Sequence, residues 1–268
     1  MQIYLNEKQL HVDQHCTLYE LRNTQQKNAD LLIINGQPIE YDQPLHPGDR
    51  VIMLQRGRHP SPEELERLLA ARHTPEVQQK IKQGKVGIAG AGGLGSHVAI
   101  ALVRVGIGQL TIVDFDVVEP SNLNRQQYFI DQIGKPKVMA LKENLQRINP
   151  ACRINIFNQK IGPENIKGLF GEIDILVEAF DAADQKAMLT NYFLANFPDK
   201  FLVAASGLAG YEPSNTIQTS RVSDRFYLCG DGVSAAEPGR GLMAPRVGIA
   251  AHHQANTVLQ LLINQTAE

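Results

Sequence analysis

Hydrophobic residues beyond position 84 fall into short continuous runs that predict buried strands separated by helices. The run 85–89 is followed by a glycine-rich turn and by a second apolar stretch, 98–105, which has the length of a helix. Two further runs, 110–114 and 173–180, have the composition of strands, and the second leads directly into Asp181. Strands that alternate with helices are typical of an open α/β sheet, so we predict an α/β fold for this part of the chain.

The first sixty residues have a different pattern, which predicts a separate small domain. Thr17 and Glu20 have the spacing of a capping box and start a helix that ends near Gln26. The predicted elements are strands at 1–6 and 10–12 around a turn at 7–9, this helix, and strands at 31–35 and 50–55. The order strand, strand, helix, strand, strand is a β-grasp (ubiquitin-like) pattern.

A helical connector is predicted between these two parts. Ser61, Pro62 and Glu64 supply the cap, the first-turn proline and the acid that commonly begin a helix. A second short helix begins near Pro75 and stops at Gly84. The predicted division is a small domain over 1–57, a connector over 58–84 and an α/β domain over 85–268.

The glycine turn after the first buried strand has the spacing of a phosphate-binding loop. Glycines allow a tight turn and let backbone N–H groups approach phosphate oxygens at the start of the next helix. Asp114, at the end of the following strand, is placed to hold a ribose hydroxyl. The same glycine spacing also serves simple strand–helix packing, so it predicts adenine-nucleotide binding only with these flanking elements. The glycines are Gly90, Gly92, Gly93 and Gly95.

Charged residues after the glycine turn indicate a triphosphate rather than a dinucleotide. Arg125 offers a planar fork to phosphate oxygens, and Lys137 offers a compact positive charge. Such cations are needed where negative charge builds up as pyrophosphate leaves. Asp181 follows a strand whose carboxyl end faces the ligand crevice of an open sheet, which makes it a candidate ligand for magnesium. The alternative is that these residues are ordinary solvated loop charges.

Taken in order, these motifs resemble the ThiF/MoeB/HesA family of ubiquitin-activating-like adenylyltransferases. The resemblance implies a Rossmann-like ATP-binding domain with a mixed sheet, preceded here by the small β-grasp domain. The matching segments are GAGGLGS at 90–96, VDFDVVEPSNLNRQ at 113–126, GKPK at 134–137, the strand before Asp181, and GLMAPRVG at 241–248.

The resemblance also implies a reaction: ATP-dependent adenylation of a sulfur-carrier protein that ends in Gly-Gly, with Mg²⁺ as cofactor. The carrier's C-terminal carboxylate attacks the α-phosphorus of ATP, which gives an acyl-adenylate and pyrophosphate. By motif position, Asp114 and Asp116 hold the ribose and nearby groups, and Asp181 binds magnesium. The phosphates are contacted by Asn122, Arg125 and Lys137. The candidate catalytic residues are Arg125, Lys137 and Asp181.

Residues 1–57 are similar to the sulfur carrier ThiS, with one departure. A working carrier ends in a free Gly-Gly, whereas here the last predicted strand runs into Arg56 and Gly57 and the chain continues. We therefore expect that this domain is not adenylated; it is either a docking or assembly module or an inert appendage. The family resemblance further implies a homodimer, in which Arg72 is the nearest positional candidate for an arginine that reaches the partner's site. The sequence around Arg72 is divergent, however, and favours the alternative of a solvated helix arginine.

Composition excludes several classes of function. The chain has 26 Lys and Arg against 28 Asp and Glu, a formal net charge of −2, so nothing suggests nucleic-acid binding. No apolar run approaches the length of a membrane span, and the first residues lack the apolar core of a signal peptide. We therefore expect a cytoplasmic protein with no membrane partner.

The cysteines and histidines do not indicate a metal centre. The chain has no C-x-x-C, whereas many members of the resembled family close a tetrahedral zinc site with two such pairs, so we expect no structural zinc. Cys229 is interpreted as a small apolar filler, with a redox or thioester role as the alternative. His252 and His253 are adjacent on a predicted helix, which makes them a poor chelating pair.

Alternative functions remain at this stage. An NAD(P)-dependent oxidoreductase shares the glycine loop and Asp114 but leaves Arg125, Lys137 and Asp181 unexplained. A catalytically silent binding scaffold is a second alternative, favoured if ATP binds without turnover. Within the enzyme hypothesis, the ThiS-like domain favours a carrier of the thiamin thiazole pathway, and a molybdopterin-type or other ubiquitin-like carrier is the alternative.

Overall fold

The computed structural model describes residues 1–58, 61, 64, 65, 68 and 75–264. Within it the chain divides into two compact units, Met1–Gln78 and Gln79–Glu268. Most of the first predicted connector helix, with Arg72, lies outside the described residues. Helix α2 spans Pro75–Gln83, and its bounds agree to within about a residue with the second connector helix that the sequence predicts.

The N-terminal unit is a five-stranded sheet with a helix packed on it. Its helix α1 spans Leu18–Gln25, and the predicted capping box is confirmed: the Thr17 hydroxyl accepts from the Glu20 N–H, and the Glu20 carboxylate accepts from the Thr17 N–H. The sheet order is β2-β1-β5-β3-β4, with β1 and β5 parallel. The strands are β1 (Gln2–Leu5), β2 (Lys8–His11), β3 (Leu31–Ile34), β4 (Gln37–Pro38) and β5 (Arg50–Leu54).

Two details of this unit differ from the sequence prediction. The first turn lies at Asn6 and Glu7 rather than at 7–9, because both residues have positive φ (46° and 63°), as a tight hairpin turn requires. The Asn6 side chain anchors this turn by accepting from the Met53 N–H at 2.9 Å and donating to the Met53 carbonyl at 3.3 Å. The two-residue strand β4 is too short to leave a hydrophobic pattern.

The second unit contains a seven-stranded mixed sheet in the order β11-β12-β10-β9-β6-β7-β8. All neighbouring strands are parallel except β11 and β12. The prediction of an α/β fold with a mixed sheet, preceded by a small β domain, is confirmed. The strands are β6 (Lys85–Ala89), β7 (Gln109–Val113), β8 (Arg153–Phe157), β9 (Ile175–Glu178), β10 (Phe201–Ala205), β11 (Gln218–Ser223) and β12 (Phe226–Gly230).

Helices cover this sheet and bury its central strands. A large apolar cluster joins the sheet to helices α5 and α6, with Phe170 and Phe193 fully buried in it. Burial of one side chain of this size contributes roughly 2–3 kcal/mol of hydrophobic stabilisation. The helices are α3 (Gly93–Arg104), α4 (Lys137–Ile148), α5 (Pro163–Phe170), α6 (Ala183–Asn196) and α7 (Ala244–Asn264).

The strand order reverses next to β6, and this creates the crevice where a ligand can bind. From β6 the chain proceeds outward through β7 and β8, then returns to place β9 on the other side of β6. In open α/β sheets, ligands bind outside the carboxyl ends of the strands at such a switch point.

Two element boundaries next to this crevice differ from the sequence prediction. Strand β9 ends at Glu178 rather than at 180, because the Phe180 N–H donates to the Glu178 carboxylate at 2.7 Å. Helix α3 begins at Gly93 rather than at 98, since the glycines that form the turn also form the first helical residues.

Candidate functional site

A cavity of about 640 Å³ lies at the carboxyl ends of the central strands. It brings together residues that are distant in the sequence, from the glycine loop to the segment after β9. Two predicted site residues, Gly95 and Asn122, do not line it. Those that do are Gly90, Gly92, Gly93, Asp114, Asp116, Arg125, Lys137 and Asp181.

The glycine loop is shaped by close backbone contacts. Gly90 has φ of +98°, and a Cβ there would lie 2.7 Å from the Ala179 carbonyl oxygen, so a side chain is excluded on two grounds. A Cβ on Gly95 would overlap the Gly90 carbonyl oxygen, which shows that Gly95 serves the packing of α3 under the loop. Gly92 is the N-cap of α3 and provides no side-chain cap. The first turn of α3 therefore presents N–H groups and the positive end of the helix dipole at the cavity wall.

Asp114 ties this loop to the end of β7. Its carboxylate accepts from the Ala91 N–H at 2.6 Å and from the Asp116 N–H at 2.8 Å. Burial raises the pKa of Asp114, and these two hydrogen bonds together with the charge of Lys137 act against that shift. Asp114 thus fixes the loop while it lines the cavity, where its remaining lone pairs can meet a ligand hydroxyl.

Lys137 supplies a positive charge at the cavity. Its Nζ lies 2.7 Å from the Asp116 carboxylate, and its side chain is 8% exposed against 48% for Asp116. Its backbone N–H also donates to the Asp116 carbonyl at 2.8 Å, so the first turn of α4 is tied to the segment after β7. A buried ammonium group held in this way acts on an anion more strongly than a solvated lysine would.

Arg125, Asn122 and Asp181 have different environments. Arg125 lines the cavity, and its Nη1 donates to the Ser121 carbonyl at 3.1 Å and to Asn124 Oδ1 at 2.9 Å. Asn122 is buried, and its Oδ1 accepts from the Glu119 N–H at 3.2 Å, so its side chain caps the local 3₁₀ turn. Asp181 is exposed and lines the cavity wall, as a ligand of a metal carried by a phosphate would need to be.

An ion pair that was not predicted from the sequence lies at this cavity. Both carboxylate oxygens of Glu178 lie 3.0 Å from the Nζ of Lys186, which also donates to the Ala205 carbonyl at 3.0 Å. Burial raises the pKa of Glu178, which is 1% exposed, and the charge of Lys186 acts against that shift. Lys186 lines the cavity. The signal was present in the sequence, because an acid inside an apolar strand requires a cationic partner.

A second buried ion pair organises the segment 231–234, part of which lines the cavity. The Asp231 carboxylate accepts from Arg246 Nη2 at 2.6 Å and from the N–H groups of Val233 and Ser234 at 2.9 and 2.8 Å. Burial acts to raise the pKa of Asp231, but these bonds and that from the Ser234 hydroxyl lower it to about 2. Arg246 is 3% exposed and also donates to the Glu212 carbonyl at 3.1 Å. It therefore joins α7 to the loop that contains Asp231 and to the loop that contains Glu212.

We expect Asp231 to make stability depend on acid pH. Because its pKa is about 2 in the folded protein and about 3.9 when unfolded, it stabilises the fold fully above pH ~4. This stabilisation is lost as the pH falls from about 4 through about 2. Urea unfolding between pH 5 and 2 should therefore show a steeper loss for the wild type than for Asp231→Asn. The control is Asp224→Asn, at a 96% exposed side chain, which should keep the wild-type slope; an unchanged slope in Asp231→Asn would contradict the assignment.

Cys229 and the two histidines lie apart from the cavity lining. Cys229 is buried, its Sγ lies 3.6 Å from the Thr219 hydroxyl, and burial raises the pKa of the thiol. His252 Nδ1 lies 2.7 Å from the Gly248 carbonyl oxygen, and His253 Nδ1 lies 3.0 Å from the Thr219 hydroxyl. The described part of the chain contains no group of three or more His, Cys, Asp or Glu placed to hold a metal ion. Among the same residues, no helix is long and apolar enough to cross a membrane.

Comparison with family models identifies both parts of the chain. The model described as the ThiF family matches residues 65–268, and the model described as ThiS-like ubiquitin matches residues 1–57. The resemblance seen in the sequence is therefore confirmed for the family and for the N-terminal domain.

Individual relatives agree with this placement. The chain is 30% identical over 192 residues to a molybdopterin-synthase adenylyltransferase of Escherichia coli, which covers 69% of this chain and 75% of that protein. It is 35% identical over 130 residues to a sulfur carrier protein adenylyltransferase of Thermus thermophilus, which covers 48% of this chain and 43% of that protein. The chain spans about half the length of several curated relatives that it matches.

A solved structure has the same fold. The E. coli tRNA N6-threonylcarbamoyladenosine dehydratase TcdA, in complex with ATP, aligns with a TM-score of 0.68 at 23% identity. The alignment covers 74% of this chain and 93% of that one.

Proposed function

The chain belongs to the ThiF family, and from this premise we propose that it is an ATP-dependent adenylyltransferase for a sulfur-carrier protein. The carrier's C-terminal glycine carboxylate attacks the α-phosphorus of ATP. The bond to the β-phosphate breaks, pyrophosphate leaves, and the carrier is left as an acyl-adenylate. Sulfur-carrier and molybdopterin-synthase adenylyltransferases among the relatives support this reaction class.

One observation carries the proposal: a single cavity joins the glycine loop to Arg125, Lys137 and the exposed carboxylate of Asp181. The first turn of α3, Arg125 and Lys137 offer N–H donors and positive charge to a polyphosphate. The developing negative charge of departing pyrophosphate is stabilised by this arrangement, which is in place before the reaction begins. The protein therefore contributes positioning and charge rather than a covalent intermediate.

Asp181 is proposed as the residue that holds Mg²⁺. Magnesium in nucleotide sites is commonly bound by one or two carboxylates together with substrate phosphates and water. The exposed Asp181 side chain, with Asp184 also at the cavity, fits such a site. When bound, the metal would neutralise charge on the phosphates. We propose that Asp114 and Asp116 hold the ribose side of the nucleotide.

The N-terminal domain favours one class of carrier protein as the acceptor of the adenylyl group. A ThiS-like module over 1–57, followed by the 58–84 connector and the 85–268 adenylating domain, favours a ThiS-like carrier with a C-terminal Gly-Gly, as in thiamin thiazole biosynthesis. A molybdopterin-type carrier is the alternative, supported by the E. coli relative. The homodimer remains a prediction from the family resemblance.

The alternative function from another class, an NAD(P)-dependent oxidoreductase, gives a role to fewer of the residues that line the cavity. It uses the glycine loop and Asp114 but has no role for Lys137, which is held at the cavity by Asp116.

The proposal is tested by incubating the protein with ATP, magnesium and purified carriers, followed by mass spectrometry of each carrier. Covalent AMP on a Gly-Gly carrier supports it, and hydride transfer from NADH without any AMP adduct would replace it with the oxidoreductase function.

We expect the ThiS-like domain to act as a docking module that is not itself adenylated. Strand β5 ends at Leu54 and the chain continues through Gly57, so no free carboxylate is available there. Deletion of residues 1–57 should leave ATP affinity unchanged, because the cavity residues all lie beyond residue 84. Carrier turnover should rise, since a tethered look-alike competes at high effective concentration for the carrier surface.

Steady-state kinetics with truncated and full-length protein measure this effect. Equal rates and equal carrier affinity would leave only the inert-appendage interpretation. AMP found on residues 1–57 of the full-length protein would contradict the argument from the missing terminus.

A further inference from the structure

The peptide groups of Ala91, in the middle of the glycine loop, are held from two sides. The Ala91 N–H donates to the Asp114 carboxylate at 2.6 Å, and the Ala91 carbonyl accepts from the Tyr128 hydroxyl at 2.6 Å. Ala91 is fully buried and Tyr128 is 6% exposed, so water does not compete readily for either bond. The orientation of the loop just before Gly92 is therefore set by two side chains from other segments.

The segment that contains Tyr128 also contains Arg125, and a second link ties it to the loop. The Gln127 N–H donates to the Ser96 hydroxyl at 3.2 Å, and that hydroxyl donates to the Gly92 carbonyl at 2.7 Å. Residues 125–128 are thus fastened to the glycine loop at Ala91 and at Gly92. A shift of the loop relative to this segment would separate the loop N–H groups from Arg125.

We propose that Tyr128 is a positioning residue that aligns the glycine loop with Arg125 so that both can bind one polyphosphate. This inference rests on the proposed function and assigns a role to a residue outside the cavity lining and the matched motif segments. The Tyr128 hydroxyl is suited to a permanent donor role, because burial, with the nearby charges of Asp114 and Asp116, raises its pKa. Its effect acts through the loop, since the hydroxyl contacts backbone rather than the cavity.

The test compares two ligands that differ in their phosphates. In the full-length protein with magnesium, calorimetry measures affinity for α,β-methylene ATP, which cannot be cleaved between those phosphates, and for adenosine. Tyr128→Phe removes only the hydroxyl, and we expect it to weaken binding of the ATP analogue about tenfold. Adenosine affinity should stay within about twofold, because adenosine makes no phosphate contacts. Ser96→Ala, which breaks the second link, should show the same selectivity.

A matched control exists in the other unit. The Tyr19 hydroxyl also donates to a backbone carbonyl, that of Glu40 at 2.9 Å, and Tyr19→Phe should leave both affinities unchanged. Circular dichroism verifies that each variant is folded. If Tyr128→Phe does not fold, the two affinities of Ser96→Ala decide the test instead.

Selective loss of the ATP analogue supports the positioning role. Wild-type affinity for the analogue in Tyr128→Phe, or equal loss of both ligands, would overturn it and reduce the hydroxyl to a structural bond. If the wild-type protein itself binds neither ligand, the proposed function fails together with this inference, and that result is distinguishable from failure in the variant alone.

Discussion

Replacing Lys137 with methionine should reduce carrier-dependent ATP–pyrophosphate exchange by roughly 100-fold or more, the scale seen when a preorganised charge is removed from a reaction centre. The Lys137 ammonium is nearly buried at the cavity and is held 2.7 Å from Asp116. Methionine keeps the length of the side chain and removes the charge. The rate of label exchange from pyrophosphate into ATP, at saturating ATP and magnesium, measures the effect.

A neighbouring lysine provides the matched control. Lys135 pairs with Glu143 at 3.0 Å, is 44% exposed and does not line the cavity. Lys135→Met should therefore exchange at close to the wild-type rate. Equal rates in the two lysine variants would mean that Lys137 is a structural cation and that the phosphate assignment is wrong.

Replacing Arg246 with methionine should lower the free energy of unfolding by about 3 kcal/mol, as expected when one partner of a buried ion pair is removed. The Asp231 side chain, which is 9% exposed in the intact protein, would lose its cation. The Glu212 and Pro213 carbonyls would also lose their shared donor. Urea denaturation at pH 7, followed by circular dichroism, measures the loss.

The control for this change is Arg240→Met. Arg240 pairs with Glu212 at 2.5 Å, but both side chains are about two-fifths exposed, so the pair should contribute less than about 1 kcal/mol. If both arginine variants lost the same stability, the buried Arg246–Asp231 pair would not have the structural role assigned here.

The sequence predicted the elements that have local signals. Apolar runs located β6, β7 and β5 to within a residue or two, because strands buried on both faces are continuously hydrophobic. The Thr17 and Glu20 pair located the start of α1, because both halves of a capping box lie within four residues. The sheet order then explains why Asp114, Lys137 and Asp181 share one cavity.

The features that the sequence did not predict depend on tertiary contacts. The Glu178–Lys186 and Asp231–Arg246 pairs join residues 8 and 15 positions apart, and no motif specifies which cation meets which acid. Asn122 shows the converse, since it occupies a motif position that resembles a phosphate ligand while its side chain caps a turn. A motif therefore identifies a segment, and the structure is needed to separate residues that can meet a ligand from those that shape the backbone.

The most direct test of the central claim is ATP–pyrophosphate exchange by the purified full-length protein with a panel of sulfur carriers. We predict magnesium-dependent exchange with at least one carrier that ends in Gly-Gly, and no exchange when that carrier lacks its last glycine, because the attacking carboxylate is then misplaced. Lack of exchange with every Gly-Gly carrier, together with oxidation of NADH coupled to a reduced product, would contradict the adenylation account.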